Sequence, residues 1–408
     1  MRTIIIIGAG PAGMMAAITA KRNGSNVILL ERNPRVGKKI LSTGNGRCNF
    51  SNTVQEPFLY HSEDNQFPWK IYEQFDVHQT LRFFTELGIY SRNRGGYLYP
   101  YSDQAAAILN VLQLELQRLD ITVELEADIK RVEKQGEQFY VKTKGADYQV
   151  DRLIITTGSK AAPKTGSDGS GYGYAKQFGH KIIPVVPALV QLHCAEKEYR
   201  ELAGIRAQGK VTLYLDEHYQ AEDTGEIQLT KYGISGIPVF QVSRFASGGI
   251  ADGRKVTVVL DFMPDFSDLE FLGFLKNRVE FNSNKTMDNF FIGVFHHKLA
   301  RVFLKKAEIS PKKLAGQLSV SELNRLCEKV KHYSAKIIDT NSFEQAQVCA
   351  GGVSTTQLNP QNLESTIVTG LHFAGEILDV DGACGGYNLQ WAWSSGFIAG
   401  KGAASEDA

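Results

Sequence analysis

Residues 3–31 constrain the fold of this chain more than any other stretch. Thr3–Ile7 is a run of β-branched residues that flows directly into Gly8-Ala9-Gly10-Pro11-Ala12-Gly13, after which Met14–Arg22 has helical composition and Gly24 stops it. This is a strand, a glycine turn and a helix. The pattern has a physical reading: Gly8 permits a tight turn, Gly10 lets backbone approach a pyrophosphate, and Gly13 lets helix and strand pack closely, with the helix N-terminus facing the phosphates. A lone GxGxxG is a weak signal, but here Asn26–Leu30 forms a second strand ending in Glu31, 23 residues after Gly8. An acidic side chain at that place can accept hydrogen bonds from an adenosine ribose.

The first unit suits NAD as well as FAD, and the other end of the chain discriminates. Residues 371–376, Leu-His-Phe-Ala-Gly-Glu, read as an apolar strand ending in Gly-Glu, followed by Asp379, Asp381, Gly385-Gly386-Tyr387-Asn388-Leu389-Gln390 and a helix-like stretch through Ala399. A strand ending in Gly-Glu places a carboxylate near a ribityl chain or pyrophosphate. A Gly-Gly turn opening a helix aims free N–H groups at the electron-rich edge of a flavin. Leu153–Gly158 is a third strand, ending in Thr157-Gly158, that returns the chain towards the cofactor. A non-covalent FAD site split between the two ends of the chain is the expectation, with no second dinucleotide fingerprint for NAD(P)H. Between Lys38 and Asn49 a glycine-rich loop carries Lys38, Lys39 and Arg47, which can neutralise a pyrophosphate while the far end of the loop reaches the flavin ring.

A chain of 408 residues with 43% apolar composition predicts two or three domains. Its formal charge of +1 excludes a surface adapted as a whole to nucleic acid or acidic membranes, leaving only local patches. Cys48, Cys194, Cys327, Cys349 and Cys384 are widely spaced with no CxxC, which reads as reduced thiols in a cytoplasmic protein rather than a disulfide framework or a metal site. No signal peptide or membrane span is visible, and His180 and His296-His297 read as structural. Short alternating segments such as Val211–Leu215 and Val256–Leu260 predict a small barrel or sheet. From Leu269 to Lys331 the pattern is helical, with Asp268 and Ser321 as N-caps and Pro311 as punctuation, and strand resumes from Ile337.

These residues resemble the BaiN/RdsA (YhiN-type) family of bacterial FAD-dependent oxidoreductases, also described as aminoacetone-oxidase-like flavoproteins or dehydro-bile-acid reductases. The resemblance runs through Gly37–Asn49, Tyr99-Pro100 with Ser102, Thr165-Gly166-Ser167, Gly171-Tyr172, Gly179-His180, Pro187-Ala188-Leu189, Gly233–Gly236, Gly351-Gly352-Val353 and Gly375–Gly396. Three departures stand out: Asn45 and Ser159 where the family commonly has a glycine, and Cys349 where it commonly has threonine. The resemblance implies an α/β fold with a Rossmann-like, glutathione-reductase-like FAD domain from residues 1–190 and 349–408. It also implies a β-barrel-like insert from 191–264 and 333–348, and a small helical domain from 265–332.

The positions assigned to the cofactor are Gly8, Gly10, Pro11, Ala12, Gly13, Glu31, Arg32, Lys38, Lys39, Gly44, Gly46, Arg47 and Asn49 from the first part of the chain. Ile129, Thr157, Gly158, Gly375, Glu376, Asp381, Gly385, Gly386, Asn388 and Leu389 complete the set. For catalysis the candidates are Cys48, Tyr387 and Cys384. Cys48 reads either as a proton donor beside the flavin or as a small buried hydrophobe, and Tyr387, at a helix start, as a phenol that binds or protonates substrate. Tyr97, Tyr99, Tyr101, Trp391 and Trp393 read either as a wall for a flat substrate or as core.

The favoured function is a reductase that passes hydride from flavin N5 to an activated C=C bond, with NAD(P)H as a transient reductant. Within the resembled family the substrate is a uridine of ribosomal RNA, giving dihydrouridine, or a steroid-like enone. An aminoacetone-type amine oxidase using O2 and a non-enzymatic flavin-dependent binding protein are the alternatives. Residues 285–336 hold eleven Lys and Arg against four Asp and Glu, a net of +7, which reads as an RNA contact or as a solvated basic helix face.

Overall fold

The computed structural model describes residues 1–405. It divides into two compact units, one of Met1–Val186 with the segment from Phe343 onward, the other of Pro187–Ser342. In the first unit, strand β1 (Thr3–Ile7) leads through helix α1 (Pro11–Arg22) to strand β2 (Asn26–Leu30). A five-stranded parallel sheet runs in the order Leu371–Phe373, Arg152–Ile155, β1, β2, Thr122–Glu124. Ile4, Ile5, Ile6 and Ile7 are all buried, as expected of a central parallel strand covered on both faces.

The topology decides where ligands go. β1 is followed on one side by β2 and flanked on the other by a strand 145 or more residues later, so the direction of winding reverses beside β1 and opens a crevice at the carboxyl ends of the strands. Gly8, Glu31, Thr156 and Gly375 each lie just beyond one of those ends, so four stretches remote in sequence meet at one edge.

The helix Tyr387–Ala404 packs along α1 with almost no side chain between them. A Cβ on Gly396 would lie 2.5 Å from the Ala12 carbonyl oxygen, and one on Gly400 2.4 Å from that of Ala16. Spacing small residues four apart on each helix gives the two backbones this close approach. Trp391 and Trp393 anchor the helix in the core. The indole of Trp391 donates to Gly375 O at 3.1 Å, and that of Trp393 to Phe50 O at 2.9 Å.

In the second unit a closed six-stranded barrel forms from Leu192–Cys194, Gly233–Ser235, His218–Thr230, Arg206–Leu215, Val256–Asp261 and Tyr333–Thr340. The helices Asp268–Phe281, His297–Lys306 and Val320–Lys331 share one hydrophobic core with it, through Phe271, Leu299 and Leu326 against Val211 and Val258. Two helix starts differ from the sequence expectation. The caps are Ser267 and Ser319, not Asp268 and Ser321, because each serine accepts from the backbone N–H three residues on while Glu270 or Glu322 bonds back to it. Among the described residues no helix is long and apolar enough to cross a membrane.

The close helix pair makes a stability prediction. Gly400→Ala should cost about 1–3 kcal/mol through overpacking, whereas Gly173→Ala, where a Cβ would meet nothing within 4 Å, should stabilise its helix by about 0.5–1 kcal/mol. All three tryptophans lie in the first unit, so urea unfolding followed by tryptophan fluorescence reads both changes there.

Candidate functional site

The glycine turn is built by exclusion. Gly8 has φ +103° and a Cβ there would lie 2.7 Å from Thr156 O, while a Cβ on Gly13 would lie 1.9 Å from Gly8 O. Only glycine fits at either place. Gly10 is different, since a Cβ there would meet nothing within 4 Å. The space in front of it is open, and α1 begins at Gly10 with no side chain capping its N–H groups.

Glu31 is buried at the end of β2 and stabilises this turn. It accepts from Ala9 N at 2.9 Å, Asn33 N at 2.8 Å and Asn33 Nδ2 at 2.6 Å. Three of the roughly four acceptor positions on this carboxylate are thereby occupied. Ala127 N donates to Glu31 O at 2.9 Å, which brings the chain leading to Ile129 alongside. Arg32 pairs with Asp168 at 2.5 Å.

From the other end of the chain, Gly375 and Glu376 close over the start of α1. A Cβ on Gly375 would lie 2.8 Å from Ala12 Cβ, and Gly375 N donates to Ser395 Oγ at 3.0 Å. Glu376 holds Lys39 at 2.5 Å and accepts from Ser159 Oγ at 3.2 Å. The charge of Lys39 is therefore balanced inside the protein, a pairing across 337 residues that the reading of Lys38 and Lys39 as equivalent phosphate ligands did not foresee.

The helix Tyr387–Ala404 starts at Gly386, φ +99°, again without a side-chain cap. A Cβ on Gly386 would lie 2.5 Å from Ser51 O and 3.0 Å from Asn49 Oδ1. Asn52 Nδ2 donates to Gly385 O at 2.9 Å, and Ser51 Oγ to Gln390 Oε1 at 2.6 Å. The side chain of Asn388 is spent within the protein, bridging Gly382 N and O at 2.8 Å each. Asp381 is buried in a short ladder with His61, and Leu389 is half-buried in the first turn of the helix.

The residues present fit a flavin dinucleotide. Gly10 leaves a cradle that a Cβ would fill, two uncapped helix starts supply N–H groups, and Asn49 Oδ1 and Thr157 Oγ1 are buried polar atoms with no hydrogen-bond partner among the described residues. Leaving such an atom unpaired costs about 1–3 kcal/mol, and here both lie on the segments assigned to the cofactor.

Comparison with known proteins agrees with this geometry. The family model described as HI0933-like protein Rossmann domain matches residues 2–402. The chain belongs to the HI0933-like family. It is 42% identical to the 3-dehydro-bile acid delta(4,6)-reductase of Clostridium scindens over 99% of both chains. It is 30% identical to the ribosomal RNA dihydrouridine synthase of Escherichia coli over 96% of this chain and 95% of that one, and 28% identical to that of Haemophilus influenzae over 96% of each. The protein is an FAD-dependent oxidoreductase of the BaiN/RdsA type.

The places where this chain departs from the common HI0933-like pattern are informative. Asn45 has φ +54°, a left-handed conformation that glycine adopts freely and asparagine tolerates best among other residues. Ser159 and Cys349 are neighbours: the Cys349 thiol hydrogen-bonds to Ser159, which in turn donates to Glu376. Burial pushes the Cys349 thiol up, and Ser159 partly offsets it.

Of the catalytic candidates, Cys48 sits in the core with no exposed surface and φ +59°. Burial pushes its thiol up to about 12, against a smaller lowering by Thr43. Its side chain is packed within the core of the first unit. Cys384 is half-buried at the Gly385 turn. Tyr387 lies edge-on to Tyr60 with ring centroids 5.9 Å apart, and a Cβ on Gly385 would lie 3.0 Å from Tyr97 and 3.2 Å from Tyr387. Burial and then the Tyr97 phenol push Tyr387 up to about 12. Tyr99 stands beside Gly44, and its phenol is raised by burial and lowered by Arg94 and Arg47. The arginines of this corner were missed in sequence. The Gly95-Gly96 pair between two short strands is the hairpin signal that would have placed Arg92 and Arg94 opposite Tyr99 and Tyr97.

Gly10→Ala separates binding from folding. The added methyl meets no protein atom, so the apoprotein should unfold as before, while calorimetric titration with FAD should show affinity weakened about tenfold or more, at least about 1.4 kcal/mol.

Proposed function

We propose that this flavoprotein reduces an activated C=C bond of a flat, conjugated ketone, a steroid-like enone, in the cytoplasm, with NAD(P)H visiting the site only to reduce the cofactor. The observation that carries the reading is the cluster of Tyr97 and Tyr99, both half-buried, with the buried Tyr387, around Gly44 and Gly385 where the helix Tyr387–Ala404 begins. Aromatic rings offer a flat apolar surface for a conjugated ring system, and the 42% identity to a named dehydro-bile-acid reductase supports that substrate class. The presence of one dinucleotide fingerprint supports transient use of NAD(P)H.

When bound, FAD would supply the hydride that the β-carbon of the enone takes up. This chain supplies the rest. The tyrosine wall orients the ring system, and the uncapped N–H groups at Gly386 favour negative charge next to them. The Tyr387 hydroxyl gives its proton to the α-carbon and recovers it from solvent. With its pKa pushed up to about 12, Tyr387 stays a protonated donor through neutral and mildly alkaline pH.

A second reading, reduction of uridine in ribosomal RNA, is favoured by the +7 balance of residues 285–336, where eleven Lys and Arg face four Asp and Glu. Ion pairs take up part of it, including Arg301 with Asp288 and Lys313 with Glu322, each at 2.7 Å. Lys285, Lys298, Lys305 and Lys312 remain as cations for phosphates.

Anaerobic titration tests these readings. NADPH or NADH should bleach the flavin, and a 3-oxo-4-ene steroid should restore its colour; restoration by ribosomal RNA alone would move the substrate to uridine, and bleaching by aminoacetone without nicotinamide would make the protein an oxidase. Tyr387→Phe should slow reoxidation by the enone about a hundredfold or more while bleaching by the nicotinamide is retained. In the unsubstituted protein reoxidation should be independent of pH up to about 10 and fall only above it, as the raised phenol, near 12, begins to lose its proton.

A further inference from the structure

Beside the tyrosine wall lie two arginines, Arg92 and Arg94, to which the chemistry above gives no part. The hairpin Ser91–Arg94 with Tyr97–Pro100 pairs Arg92 with Tyr99 and Arg94 with Tyr97. Residues paired directly across two strands share a face, so one face presents two guanidiniums and two phenols while Leu98 is buried on the other. The guanidinium of Arg94 lies 5.4 Å from the Tyr99 ring centre, and that of Arg92 lies 4.1 Å from the Tyr101 ring centre. One carboxylate serves both cations: Asp103 bonds to Arg94 and lies 3.5 Å from Arg92. Arg47, exposed at the end of the Lys38–Asn49 loop, adds a third positive charge close enough to lower the Tyr99 phenol. Three cations against one anion leave two positive charges beside a flat aromatic wall.

We propose that this corner receives an anionic group of the substrate, a carboxylate or a phosphate. Arg94 and Arg47 hold the anion, Arg92 stacks on Tyr101 to fix the group, and the conjugated part of the molecule lies on Tyr97 and Tyr99. Arginine suits this role because its planar fork meets two anionic oxygens at once. Asp103 sets the geometry as a positioning residue, holding Arg92 and Arg94 on one face while neutralising only one of them. The proposal rests on the reading of the tyrosine wall as substrate-facing.

The test uses the FAD-loaded protein and binding alone. 2-Naphthoate, 2-naphthyl phosphate and 2-naphthamide are titrated at neutral pH and low salt, following the flavin difference spectrum and, independently, the heat of binding. At least one of the two anions should bind ten times more tightly than the amide, and the tighter of the two identifies carboxylate or phosphate as the recognised group. Arg94→Gln should reduce that preference about tenfold. Asp103→Asn, which releases both guanidiniums, should increase it, a change opposite to what simple disruption of the hairpin would give. Equal binding of acid, phosphate and amide, no binding of any of them, or a preference unchanged in both variants would overturn the proposal. Because no turnover is read, failure to transfer hydride to any C=C bond would leave these affinities standing, and equal affinities would leave C=C reduction standing.

Discussion

Helix α1 is held on two sides by backbone rather than by side chains. On one side Gly13 brings it against Gly8 at the end of β1, and on the other Gly396 and Gly400 bring the helix Tyr387–Ala404 against Ala12 and Ala16. Everything at the site depends on this three-way approach. It fixes the start of α1 at the crevice, sets Gly375 over Ala12, and carries the second uncapped helix start at Gly386 into the same neighbourhood. A single methyl at Gly13 would have to displace main-chain atoms, which packed interiors resist.

Charge at the site is distributed with the same economy. Lys39 is neutralised by Glu376, Arg32 by Asp168, and Glu31 is largely occupied by N–H groups of its own loop. Among the described residues Lys38 and Arg47 have no carboxylate partner, and they stand with the two uncapped helix starts and the cationic excess of the Arg92–Arg94 hairpin. Two helix starts therefore offer N–H groups without a side-chain cap, and the aromatic corner retains side-chain cations of its own.

Much of this was legible in the chain. β1, α1 and β2 are read from a β-branched run, a glycine pattern and an acid in register, all local signals, and their bounds in the structure differ little from the reading. The helix after Gly386 was legible for the same reason. The misplaced caps at Asp268 and Ser321 show the limit of single residues, since the S-x-x-E pattern at Ser267 and Ser319 carries the signal. Other features depend on distance in space. Nothing near Lys39 announces Glu376, nothing near Cys349 announces Ser159, and the shared face of Arg92, Arg94, Tyr97 and Tyr99 exists only once strand register is known. Cys48 read two ways in sequence because thiols serve both chemistry and packing, and in the structure its side chain is buried.

The sheet order also has a consequence for synthesis. β1 and β2 leave the ribosome first, the strand Arg152–Ile155 follows much later, and Leu371–Phe373 with the helix Tyr387–Ala404 comes last. At about 5–20 residues per second the interval between Gly8 and Gly386 is roughly 20–75 s. For that time the four isoleucines of β1 lack part of their cover and the crevice lacks one of its two helix starts. The two ends of the crevice thus belong to different moments of synthesis, and the site is complete only when the helix Tyr387–Ala404 has been made.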